Sequence, residues 1–161
     1  MLYGLSHVIF RGIIVNLNMS NSPIPRWHEL VKNVDEAIFD EIFHDDCIFY
    51  SPLVFQPKEG KELTKQFLTA AGRMFNEAEH FTYVKEVIDE RSAVLVFHSK
   101  IDGIFIEGID MITWDEQGLI TEFKVFIRPM KGIMKIAETM QKQLGLKGPS
   151  FGQKLKMLFK G

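Results

Sequence analysis

Hydrophobic residues recur at two spacings along this chain, and the switch between them divides it. From Pro25 onward, Trp27, Leu30, Val31 and Val34 fall at i, i+3, i+4 and i+7, one face of a helix entered through a proline. Asp35 then predicts the cap of a second short helix, with Ile38, Phe39, Ile42 and Phe43 on its buried side. The charged run His44, Asp45, Asp46 reads as the solvated end of that helix rather than a metal site, and a strand is expected over Cys47–Ser51. Proline and glycine in "SPLVFQPKEG" mark a loop, after which Leu63, Phe67, Ala71 and Met74 return to helical spacing. Beyond Asn76 the period becomes two, in Phe81, Tyr83, Lys85, Val87 and again in Ala93, Leu95, Phe97, Ser99, Ile101. Asp102-Gly103 predicts a two-residue hairpin turn into Ile104–Trp114, and "DEQG" a second turn into Leu119–Arg128. A last helical pattern, Ile133, Ile136, Ala137, Met140 and Leu144, precedes "GLKGPSFG".

Register arithmetic gives these strands two faces. A hairpin closed by Ile101 and Ile104 opposes Leu95 to Asp110, and one closed by Asp115 and Gly118 opposes Asp110 to Phe123. One face then collects Ala93, Leu95, Phe97, Ser99, Ile106, Gly108, Asp110, Ile112, Trp114, Thr121, Phe123, Val125 and Ile127, and Asp110 is its only charge. The other face mixes Val94, Val96, Ile109, Met111 and Phe126 with His98, Glu107, Lys124 and Arg128, and apolar patches among charges there predict a homodimer contact.

Composition narrows the class. A chain of 161 residues, 46% hydrophobic and 25% charged, describes one globular domain with a sizeable core. A net charge of −2 gives no overall basic excess, so nucleic acid is not an expected partner. The single Cys47 rules out an internal disulfide, and a reducing, cytoplasmic compartment is expected. Arg11 interrupts the apolar start and no positive region precedes it, so the opening segment does not read as an export signal. Residues 1–18 read equally as an upstream extension or as a family-specific arm. Lysines at 142, 147, 154, 156 and 160, with no acidic residue after Glu138, make the end of the chain basic. Phe151, Leu155, Leu158 and Phe159 give it an amphipathic face suited to a membrane surface, to a partner groove, or to folding back on its own domain.

The order helix, helix, strand, helix, then four strands predicts an α+β fold with helices on one face of an antiparallel sheet. Residues 26–130 resemble the nuclear transport factor 2-like superfamily, in particular its SnoaL-like bacterial branch. The resemblance rests on "RWHELVKNVDEAIFDEIFHDDCIFYSP", "GKELTKQFL" and "IDGIFIEGIDMITWDEQGLITEFKVFIRP". It implies a cone-shaped α+β barrel or roll, with helices packed on one face of a strongly curved antiparallel sheet, a pocket between helices and sheet, and dimerisation through the outer sheet face. It also implies an extension at 1–24, the domain at 25–144, and a basic amphipathic tail at 145–161. Such folds host isomerases, cyclases, hydrolases and proteins with no catalysis.

Within that resemblance Asp110 falls where ketosteroid isomerase-like members keep an aspartic acid that donates a hydrogen bond to a developing oxyanion, held neutral by its apolar site. Two departures accompany the match. Ser51 of "YSP" stands where those isomerases carry the general-base aspartate, and Trp27 stands for their oxyanion tyrosine. Limonene epoxide hydrolase-like members need an arginine two residues before the aspartate and an acid on the last strand, where this chain has Gly108 and Arg128.

Asp110 is therefore the candidate catalytic acid or base, with a structural hydrogen-bond acceptor as its alternative. Candidate ligand-binding residues are Trp27, His28, Tyr50, Ser51, Leu95, Phe97, Ile112 and Phe123. Tyr50 and Tyr83 read as aromatic core with a satisfied hydroxyl rather than as oxyanion donors. With no phosphate-binding glycine loop and no lysine in a recognisable cofactor context, no cofactor is expected, and no metal. Two functions are expected from this pattern. One is a pocket that binds, or acts on, an apolar small molecule by isomerase-type proton transfer through Asp110. The other is a non-catalytic dimeric association or ligand-binding module, whose pocket would be filled by Trp27, Phe67 and Phe123.

Overall fold

The computed structural model describes residues 7–10, 13–16 and 21–145. The first two segments form an antiparallel ribbon, β1 (His7–Phe10) with β2 (Ile13–Asn16), inside the segment read as an extension. The tail expected at 145–161 lies outside the described residues apart from Gly145.

Helix α1 (Ile24–Asn33) carries Pro25 in its first turn, where a missing N–H costs nothing, and buries Ile24, Trp27 and Leu30. It stops at Val34, whose backbone turns left-handed at φ 50° and donates its N–H to the Leu30 carbonyl. Asp35 accepts from the Ala37 N–H at 2.9 Å and so caps α2 (Glu36–Ile42). Strand β3 (Phe43–Tyr50) begins immediately, four residues earlier than the sequence pattern predicts. His44, Asp45 and Asp46 are thus not a solvated helix end. They lie on a strand, where Asp45 pairs with Lys61 at 2.6 Å and His44 Nδ1 accepts from the Asp46 N–H at 3.1 Å.

A short β4 (Lys58–Glu59) folds back on β3, and α3 (Lys61–Asn76) then carries the chain to the far edge of the sheet. Strands β5 (His80–Ile88), β6 (Ser92–Ile101), β7 (Ile104–Trp114) and β8 (Ile120–Arg128) return as a meander, and α4 (Met130–Gln143) ends the described chain. The six strands lie in the order β4-β3-β8-β7-β6-β5. Two features differ from the expected roll. The sheet is mixed, because β3 runs parallel to β8, and it is open, because its two edge strands, β4 and β5, do not pair with each other. A meander pairs neighbours in sequence, whereas β3 reaches β8 only after the α3 crossover and three further strands, a contact no local pattern encodes.

The β6–β7 register is as the turn predicts, with Leu95 opposite Asp110 around Asp102 (φ 48°) and Gly103 (φ 75°). The β7–β8 register is shifted by two, so that Asp110 faces Val125, and Phe123 faces Ile112. The turn is longer than "DEQG" suggests, since the Asp115 N–H donates to the Leu119 carbonyl and the Asp115 carboxylate accepts from Gln117 and Leu119. A shift of two keeps every residue on its face, but the irregularity between Thr113 and Trp114 does not. It buries Ile120 and turns Thr121 outward, where its hydroxyl donates to the Thr113 carbonyl.

Two apolar clusters fill the space between helices and sheet. One gathers Trp27, Phe39, Phe43, Phe49, Leu95, Ile112, Trp114, Ile120 and Phe123; the other gathers Met74, Phe97, Ile101, Ile106, Ile136 and Met140. Phe39 stacks on Phe43 with centroids 4.0 Å apart, and Trp27 tilts over Phe123 at 4.7 Å. Among the described residues no helix is long and apolar enough to cross a membrane.

Gly108 makes the second cluster fit, because a Cβ there would lie 2.1 Å from the Phe97 ring. We expect Gly108→Ala to lower unfolding free energy by about 1–3 kcal/mol through overpacking. The loss should shrink when Phe97→Leu is added, and denaturant unfolding of the two single variants and the double variant measures that coupling.

Candidate functional site

Asp110 is 6% exposed at the middle of β7, where Leu95 of β6 and Val125 of β8 oppose it. The one hydrogen bond of its carboxyl among the described residues comes from the Tyr83 hydroxyl, which donates to Oδ2 at 2.7 Å. The same hydroxyl accepts from the Trp27 indole Nε1–H at 3.0 Å. An ordered chain of donors thus runs from α1 through β5 to the carboxyl.

Tyr83 reaches this position through an irregularity. The β5–β6 register shifts between Tyr83 and Lys85, so Phe81 and Tyr83 point inward while Lys85 and Val87 point to solvent. Strict alternation would have kept all four on one face. That is why the sequence named Tyr83 as core without joining it to Asp110, and its only local signal is Lys85 in the run "FTYVKEV", a charge on the parity of Phe81 and Tyr83.

The carboxyl lines a cavity of about 80 Å³ between the two clusters. Trp27, Ser51, Phe97 and Phe123 of the expected residues line it, together with Tyr83, Phe67, Val125 and Met140, which the sequence list lacks. Trp27, Phe67 and Phe123 are its walls and leave it open. The other expected residues stand apart. Leu95 and Ile112 are fully packed inside the first cluster. His28 sits behind Tyr83, 3.0 Å from Glu86 and edge-on to the tyrosine ring. Tyr50 lies under the Lys124 ammonium, which is 4.5 Å from its ring centroid. Parity identified the right face; the depth of each residue along it depended on where the two clusters separate.

Charge and chemistry at this site follow from the surroundings. Burial pushes the Asp110 carboxyl up from 3.8 to about 7, and the Tyr83 hydrogen bond pulls it partly back by favouring the ionised form. Burial and the neighbouring carboxylate hold the Tyr83 phenol well above its ordinary range, so it remains a donor. The Ser51 hydroxyl accepts from the Leu53 N–H at 3.2 Å and forms a turn. At the Gly108 position the Phe97 ring occupies the space an arginine would need. Arg128 lies on the outer face, 2.9 Å from Glu107, which also pairs with His98 at 3.0 Å.

Solved structures with this arrangement of elements are numerous. A steroid delta-isomerase from Pseudomonas aeruginosa is 30% identical, superposes with a TM-score of 0.71, and the match covers 76% of this chain and 89% of that one. The chain belongs to the nuclear transport factor 2-like superfamily. An uncharacterised bacterial protein with a cystatin-like fold from Silicibacter pomeroyi matches at 25% identity and a TM-score of 0.72, over 88% of this chain and 96% of that one. An NTF2-like protein of unknown function from Mesorhizobium loti, at 14% identity and a TM-score of 0.59, covers 66% and 88% and supports the fold alone. No protein-family model and no curated protein matches the sequence.

The raised carboxyl has a signed consequence for stability. The unfolded chain loses the Asp110 proton near pH 3.8 and the folded chain near pH 7. Between those values the folded state binds more protons, so stability falls as pH rises through the window. Above about 7 the ionised buried group costs roughly 4 kcal/mol. Asp110→Asn should remove this slope, matching the parent near pH 4 and exceeding it by about 2–4 kcal/mol at pH 8. Denaturant unfolding at a series of pH values checks it, and equal slopes for both proteins would contradict the assignment.

Proposed function

We propose that this protein binds an apolar small molecule carrying one carbonyl or hydroxyl oxygen, with the body of the ligand in the aromatic cavity and Asp110 as its polar anchor. The observation that carries this reading is a buried carboxyl that lines an otherwise apolar cavity and spends only one oxygen on the protein. Protonated, the other oxygen donates to a carbonyl; ionised, it accepts from a hydroxyl.

Isomerase-type turnover through Asp110 would need a second group to share the proton transfer and charge stabilisation. Asp110 is the only carboxyl among the cavity-lining residues, and the family resemblance sets Ser51, not a carboxyl, where the isomerases carry their base. The similarity to a protein named steroid delta-isomerase supports a small-molecule pocket, and the site chemistry favours binding over turnover. The cavity is about half the roughly 150 Å³ that admits benzene in an engineered core. The fitting ligand is therefore a short chain or a single ring for which the walls give slightly, not a fused polycycle.

A pair of probes tests the reading, with Trp27 fluorescence as one readout and calorimetry as the other. We expect 2-cyclohexenone to bind with a Kd on the order of 0.1–1 mM, as suits a seven-atom ligand. Cyclohexene should bind about five- to tenfold more weakly for want of the hydrogen bond. Asp110→Leu should abolish that preference and keep the cyclohexene affinity. A parent protein with no preference, or a leucine variant that retains it, would remove the reading.

We infer also that two copies pair through the outer face of the sheet. Phe105, Met111 and Phe126 are 53%, 42% and 52% exposed there, beside the half-buried Val94, Val96 and Ile109. Met111→Asp with Phe126→Asp should convert a dimer to a folded monomer in sedimentation velocity at micromolar concentration. A monomeric parent would end this inference.

A further inference from the structure

Asp110 has two oxygens, and what distinguishes them is Tyr83. The Trp27 indole N–H occupies a lone pair of the Tyr83 hydroxyl at 3.0 Å, and an indole nitrogen can only donate. The tyrosine proton is left to point at Asp110 Oδ2, 2.7 Å away. A carboxyl oxygen that already accepts from a hydroxyl is the poorer place for the acid proton, since two protons would then meet on one contact.

We propose that Tyr83, held by Trp27, is the positioning residue of this site: it keeps Oδ2 as an acceptor and so leaves the exchangeable proton of Asp110 on the oxygen free to meet a ligand. This assignment rests on the reading of Asp110 as the polar anchor and adds a direction to it. A ligand carbonyl is met by a donor already aimed into the cavity, without a competing rotamer or proton placement to select against. Rotation of the Tyr83 hydroxyl away from Asp110 would leave the indole N–H without its acceptor, so the chain has one sense only.

Burial raises the Asp110 carboxyl most, and Tyr83 is the one side chain that pulls it back. Of the side chains lining the cavity from α1, β3, α3, β5, β6, β8, α4 and the loop after β3, only Tyr83 ionises besides Asp110 itself. Leu95 and Val125 flank Asp110 in the sheet. His28 and Glu86, 3.0 Å apart, do not line the cavity, and the His28 ring meets the Tyr83 ring edge-on. Removing the Tyr83 hydroxyl takes away the one hydrogen bond that favours the carboxylate, so the titration should move up. Removing the Trp27 donor should move it in the same direction by less, because Tyr83 remains but is no longer aimed.

The test uses the full chain with carbon-13 in the aspartate side chains, following the Asp110 carboxyl by NMR between pH 4 and 10 in the parent, Tyr83→Phe and Trp27→Phe. We expect the midpoint to rise above the parent's about 7 in both variants, more in Tyr83→Phe. At pH 5, where all three carry the proton, the preference for 2-cyclohexenone over cyclohexene should fall about fivefold in Tyr83→Phe. A purely structural role would lower unfolding stability and leave the midpoint in place, and an unmoved or lowered midpoint in Tyr83→Phe would overturn the proposal. The outcome is separable from that of the anchor reading. If the midpoint rises but Asp110→Leu still prefers the enone, Tyr83 positions the carboxyl and the ligand binds elsewhere.

Discussion

The hydrogen bond from Tyr83 to Asp110 is the interaction on which the interior of this protein turns. A carboxyl placed among Leu95, Phe97, Phe123 and Val125 is tolerated only if it keeps its proton or finds a donor, and the structure supplies both conditions. Desolvation favours the neutral acid, and the tyrosine favours the anion. The balance falls near neutrality, where a carboxyl can change state with little driving force. Because Trp27 orients Tyr83, and Trp27 also packs on Phe43 and Phe123, the polar chain is tied to the aromatic core on which α1 rests.

The cavity has its own physical origin. The aromatic side chains form two clusters rather than one, and Asp110 lies where they part. Phe67 and Tyr83 touch both, so the gap is bridged at its walls without being filled. Gly108 belongs to the same construction, since its missing side chain lets the Phe97 ring lie across the strand. That packing leaves no room for a longer side chain at position 108.

Much of this was legible along the chain. The helices followed from 3.6-residue spacing with Pro25 and Asp35 at their starts, and the inward face of Asp110 followed from a hairpin whose Asp-Gly turn fixes register without tertiary help. Where the reading failed, an irregularity intervened. Bulges beside Thr113 and between Tyr83 and Lys85 change parity in mid-strand, and in the alternation of side chains only Lys85, a charge on the inner parity, hints at the second. Strand β3 began early because Phe43 pairs with Ile120 of β8, a long-range contact that overrides the helical spacing that included it.

What the sequence determined by itself was local: which segments are helices, which strands meet at short turns, and that one carboxyl would be carried into an apolar face. These follow from periodicity and turn chemistry, which act over a few residues. The tertiary structure decided what that carboxyl does. The parallel pairing of β3 with β8, the bulge that turns Tyr83 inward, and the meeting of Trp27, Tyr83 and Asp110 join residues 27 to 83 positions apart along the chain. Such contacts form only when the whole sheet and α1 are assembled, because each is stable only in the packing the others create.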